Sequence, residues 1–120
     1  MATETETVVE ESEESAQQTP MIEADGLSKF YGIFAATREV SFKVFKGEVV
    51  AFLGPNGAGK STTMNILTGI VSPSEGFVSI CGRDLCEDLG EIQSLIGVSP
   101  QFDCLWGELT AFQVRNLGVW

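Results

Sequence analysis

Residues 54–62 read Gly54-Pro55-Asn56-Gly57-Ala58-Gly59-Lys60-Ser61-Thr62, three glycines within six positions followed at once by a cation and three hydroxyls if Thr63 is counted. Before this loop stands Glu48-Val49-Val50-Ala51-Phe52-Leu53, a near-continuous β-prone run of the kind expected for a strand covered on both faces. After it, Met64, Ile66, Leu67 and Ile70 fall at the spacing of the inner stripe of a helix that closes near Gly69. A strand, a tight glycine loop and a helix in immediate succession place the chain in the α/β class.

The loop matches GxxxxGK[ST], with Gly54, Gly59, Lys60 and Ser61 at the fixed positions. Glycines let such a loop curl until backbone N–H groups from about Gly57 to Thr62 converge on phosphate oxygens. A helix starting near Lys60 adds its positive dipole end. In that reading Lys60 neutralises β and γ phosphates, Ser61 offers its hydroxyl to Mg²⁺, and Thr62 reaches the α phosphate. The competing reading is a glycine-rich connector without a ligand.

From Met21 onward, short apolar stretches alternate with Gly and Pro, the pattern of strands and turns. Met21 to Ala24 and Val40 to Val44 are strand candidates, the second alternating as Val40, Phe42, Val44. Pro73 to Gly76 reads as a turn and Phe77 to Cys81 as a strand. Leu85 to Leu95 reads as a helix carrying Leu85, Leu89, Ile92 and Ile96 on one side. Ile96 to Ser99 reads as a short buried strand. The expected architecture is therefore antiparallel strands leading into a parallel βα core.

Composition removes several functions. There are 0 His residues, so no His triad, His metal ligand or His general base exists in this sequence. A net charge of −10 argues against general nucleic-acid binding. Glu4, Glu6, Glu10, Glu11, Glu13 and Glu14 crowd residues 1–20, which contain no Lys or Arg; this stretch is expected to be a disordered acidic tail preceding a domain over 21–120. The tail has neither the Arg content of a transit peptide nor the apolar core of a secretory signal. Cys81, Cys86 and Cys104 form no CxxC pair, which suits small thiols in a reducing cytoplasm better than a disulfide framework or zinc site. Val49 to Leu53 is far too short to span a bilayer, so no direct membrane span is expected.

The loop resembles the Walker A loop of ABC transporter ATP-binding subunits. Tyr31-Gly32 stands upstream at the spacing where that family places an aromatic residue that stacks on adenine. Ser99-Pro100-Gln101-Phe102-Asp103 resembles the family's Q-loop, in which Gln101 would touch Mg²⁺ and the attacking water. Val40-Ser41-Phe42, Lys46-Gly47-Glu48 and Leu67-Thr68-Gly69 are also similar to the family, and the likeness runs from about Met21 to Thr110. The stretch PQFDCLWGELT resembles the branch containing lipid, drug and gliding-type exporters.

The resemblance implies a P-loop NTPase fold of the ABC ATPase type, ATP and Mg²⁺ as ligands, and a nucleotide site of Tyr31, Gly54, Asn56, Gly57, Ala58, Gly59, Lys60, Ser61, Thr62 and Gln101. Ser61 and Gln101 would serve the metal. It also implies transmembrane permease subunits and a second nucleotide-binding domain as partners, and a peripheral place on the cytoplasmic face of the membrane. The family's LSGGQ-like signature, Walker B Asp, catalytic Glu and switch His are absent, so the sequence looks like the first half of an ATPase domain. Two other readings stand beside the transporter subunit: a nucleotide-binding or regulatory remnant without hydrolysis, and another P-loop enzyme such as a kinase or GTPase. Tyr31 and Gln101 speak against the last.

Overall fold

The computed structural model describes residues 18–100 and 107–116. Its frame is a four-stranded antiparallel sheet in the order β2-β1-β3-β4, built from β1 (Ile22–Tyr31), β2 (Phe34–Val44), β3 (Glu75–Ile80) and β4 (Arg83–Asp84). The first two strands form a hairpin, with Ile22 opposite Val44 and Tyr31 opposite Phe34. Both extend well past their sequence-predicted limits, because Gly32 takes a positive φ of 60° and lets the chain reverse directly between Tyr31 and Phe34. Beside β1, β3 runs with Ile22 opposite Ile80 and Ser28 opposite Glu75, shifting register between Asp25 and Ser28. Gly76 sits at this shift with φ 90°, where a β-carbon would lie 2.4 Å from the carbonyl oxygen of Gly26. The two strands can approach this closely only through glycine.

Among the described residues, three helices accompany the sheet: α1 (Lys60–Leu67), α2 (Leu89–Leu95) and α3 (Ala111–Asn116). Ile66 and Leu67 of α1 and Ile92 of α2 are buried with Ala24, Leu27, Phe42, Val78 and Ile80 from the sheet. The stripe predicted on Leu85, Leu89, Ile92 and Ile96 does face this core. The helix, however, begins only at Leu89. Upstream, the Asp84 carboxylate accepts the N–H groups of Cys86 and Glu87 at 2.7 and 3.2 Å, holding the chain in a turn instead. At α3, Thr110 and Gln113 cap each other: the Thr110 N–H donates to Gln113 Oε1 at 2.9 Å and the Gln113 N–H to Thr110 Oγ1 at 3.4 Å.

Two predicted strands carry no ladder. Residues 48–55 and 96–100 have no strand partner among the described residues, and the described sheet contains no parallel pair. Phe52 still packs edge-on against Phe42, with ring centroids 5.0 Å apart. Val49 is 99% exposed and Leu53 80%, so the run is not covered on both faces here. A parallel strand is held by neighbours from distant sequence, and the described residues supply none beside this one. No helix among the described residues is long and apolar enough to cross a membrane. Most of the acidic stretch expected as a tail, residues 1–17, lies outside the described residues, as does Cys104.

Candidate functional site

The glycine loop turns where the sequence demands. The Ala58 N–H donates to the Pro55 carbonyl at 3.1 Å, closing a tight turn through Asn56 and Gly57, both exposed. Gly59 is the N-cap of α1 and adopts the left-handed conformation at φ 90°, ψ 10°. There is no room for a side chain there: a β-carbon would lie 2.4 Å from the Ala36 carbonyl oxygen and 2.7 Å from Thr37 Cγ2. Glycine is thus required twice at this position, for its dihedral angle and for its contact with β2.

The start of α1 leaves its backbone donors open. The N-cap makes no side-chain hydrogen bond, and the first turn holds no acidic residue. The opening N–H groups of any helix lack intrahelical acceptors, and here no Ser, Thr, Asp or Asn side chain fills the cap. Behind them, the Thr63 N–H and hydroxyl both donate to the Gly59 carbonyl at 2.9 Å, fixing the direction of the first turn. The side chain of Lys60 folds back over the loop, its ammonium donating to the Gly54 carbonyl and lying 3.5 Å from that of Pro55. A positive charge and a set of uncapped N–H groups therefore stand at one turn. This is the chemistry of an anion cradle.

Ser61 is exposed on the first turn, and its hydroxyl takes no partner among the described residues. Thr62 beside it is half-buried. A hydroxyl oxygen is a hard donor of the type Mg²⁺ accepts, so the chemistry of Ser61 fits the metal. The other residue assigned to the metal, Gln101, lies outside the described residues.

Tyr31 is connected to the loop through the hairpin. It ends β1 opposite Phe34, and Ala36, two residues along β2, is the residue pressed against Gly59. A strand advances about 7 Å over two residues, so Phe34 stands about that far along β2 from the residue that meets the loop. The Tyr31 ring is 51% exposed. One face of it is occupied by the Lys29 ammonium, 5.2 Å from the ring centroid. The sequence reading missed Lys29 and the Ala36–Thr37 contact. Alternation offered a signal for the former, since residues two apart on a strand share a face; nothing local marked the latter.

The model of the ABC transporter family matches residues 37–116. The protein named "Probable multidrug ABC transporter ATP-binding protein YbhF" of Escherichia coli strain K12 is 44% identical over 93 residues, covering 78% of this chain and 16% of that protein. A solved ATP-binding subunit of an ABC transporter superposes with a TM-score of 0.73 at 34% identity, covering 81% of this chain and 40% of that one. An ATP-binding cassette of an ABC transporter solved in its ADP conformation gives a TM-score of 0.54 at 37% identity, over 57% of this chain and 27% of that one. The chain spans well under half the length of each of these. With residues 37–116 matched by the family model and a relative 44% identical over 78% of its length, the chain belongs to the ABC transporter family and carries part of its nucleotide-binding cassette.

Proposed function

We propose that residues 21–120 are the N-terminal portion of an ABC-type nucleotide-binding domain that holds MgATP by its phosphates. The observation that carries this reading is the meeting of the Lys60 ammonium with the uncapped start of α1 across the Gly54–Gly59 turn. Lys60 exchanges its loop carbonyls for β- and γ-phosphate oxygens, gaining charge-assisted hydrogen bonds. Gly54, Asn56, Gly57, Ala58 and Gly59 shape the cradle, Lys60, Ser61 and Thr62 direct N–H groups into it, and Tyr31 stacks on the base. Ser61 and Gln101 hold Mg²⁺, which when bound neutralises charge on the terminal phosphates.

The whole protein, on this reading, is the ATP-binding subunit of a transporter. It pairs with a second nucleotide-binding domain and with transmembrane permease subunits, and lies peripherally on the cytoplasmic face of the membrane. The name of the Escherichia coli relative includes multidrug transport, which favours the exporter branch. The acidic balance of the chain supports a partner set without nucleic acid.

Ligand-dependent protection of the fold tests the site. A ligand at a hundred times its dissociation constant stabilises the native state by about 2.7 kcal/mol. MgATP should raise the unfolding midpoint of the full chain, and Lys60→Ala should remove that rise. Equal protection of the parent and the variant would refute the phosphate assignment.

A further inference from the structure

We infer that Lys29 is a positioning residue for the nucleotide base: it closes one face of the Tyr31 ring and holds the other face toward ligand. The inference rests on the assignment of Tyr31 to base stacking made above and adds what orients it. The Lys29 ammonium is fixed at two points, 5.2 Å from the Tyr31 centroid and 2.8 Å from the Ser72 carbonyl, to which it donates. Ser72 lies beyond α1, in the segment leading from the glycine-loop helix into β3. Two further hydrogen bonds tie that segment to β1: the Ser74 N–H donates to the Ser28 carbonyl at 2.9 Å, and the Phe30 N–H donates to Ser74 Oγ at 3.0 Å. Ser28, Lys29 and Phe30 are thus all bound by the turn that follows α1.

The physical consequence is a ring with one usable face. An exposed tyrosine at a hairpin end exchanges among staggered χ1 rotamers and presents no single face. A cation anchored to a backbone carbonyl favours the rotamer that keeps the ring beneath it, because the ammonium is attracted to the negative π face. Lys29 makes no salt bridge that competes for its charge among the described residues. The pairing also joins the base-binding residue to the exit of the helix whose start forms the phosphate cradle, so the two halves of the site share one support.

The test compares ATP with inorganic tripolyphosphate on the full chain, since only ATP carries a base. Lys29→Met keeps the aliphatic stem and removes the charge; it should weaken ATP about twofold to fivefold, the range for an exposed cation–π contact, and leave tripolyphosphate unchanged. Lys29→Arg, which retains a cation able to lie over the ring, should restore ATP affinity. In a Tyr31→Ala background, Lys29→Met should cost nothing further. If Lys29→Met weakens both ligands alike, the residue acts on the phosphates or on the fold and the inference is wrong. If Tyr31→Ala loses ATP selectively while Lys29→Met does not, Tyr31 stacks without help and the positioning role is overturned alone. If Tyr31→Ala itself leaves the ratio of ATP to tripolyphosphate unchanged, base stacking by Tyr31 fails and Lys29 falls with it.

Discussion

Gly59 and Ala36 touch backbone to backbone: a β-carbon on the glycine would lie 2.4 Å from the alanine carbonyl oxygen. The start of the glycine-loop helix is therefore seated directly on β2, the strand paired with the one that ends at Tyr31.

Gly59→Ala should damage both fold and site. The methyl group meets a backbone oxygen that cannot swing away, and the φ of 90° is unfavourable to any L side chain. Strain of this kind costs on the order of 1–3 kcal/mol before the clash is counted. Denaturant unfolding should show a loss of at least that size together with loss of MgATP protection. Parent-like stability in the alanine variant would mean that helix and strand are not in contact.

Ser61→Ala should separate metal from phosphate. The hydroxyl is exposed and takes no partner among the described residues, so its removal leaves the apo stability within about 0.5 kcal/mol. The extra protection that Mg²⁺ adds to ATP should disappear, while ATP in the presence of EDTA should protect parent and variant equally. A thermal-shift titration with and without Mg²⁺ checks this. Full retention of the magnesium increment in the variant would remove Ser61 from the metal site.

Thr37→Val should stabilise the protein. Thr37 is 4% exposed, and its Oγ1 is buried without a hydrogen-bond partner among the described residues. A buried unsatisfied polar group costs about 1–3 kcal/mol, and valine has nearly the same shape without the hydroxyl. An increase of about 1 kcal/mol in unfolding free energy is expected. A decrease of similar size would reveal that the hydroxyl is satisfied in solution.

Ile66→Ala tests whether α1 is held by its apolar face. The side chain is fully buried among Leu27, Phe42 and Val78 in the common core. Truncation of such a residue costs about 2–5 kcal/mol through lost burial and the cavity left behind. Chemical denaturation should find this loss, and a change under 1 kcal/mol would show the helix to be loosely docked.

What the sequence determined alone was local. The turn at Pro55 to Gly59, the helix that follows, the stripe of Leu85, Leu89, Ile92 and Ile96, and the alternation of Val40, Phe42 and Val44 depend on dihedral preferences and on spacing within one element. The residues proposed to bind phosphate were legible for the same reason, since eight consecutive positions carry the whole pattern. Tertiary structure decided the rest. Whether Val49 to Leu53 forms a laddered strand depends on a neighbour from distant sequence, and hydrophobicity in the run cannot supply the partner's carbonyls and N–H groups. The seating of Gly59 on Ala36 and the placement of the Lys29 ammonium over Tyr31, anchored at Ser72, likewise depend on segments that only the folded chain brings together. Periodicity reports which face of an element is apolar; it does not report what that face will meet.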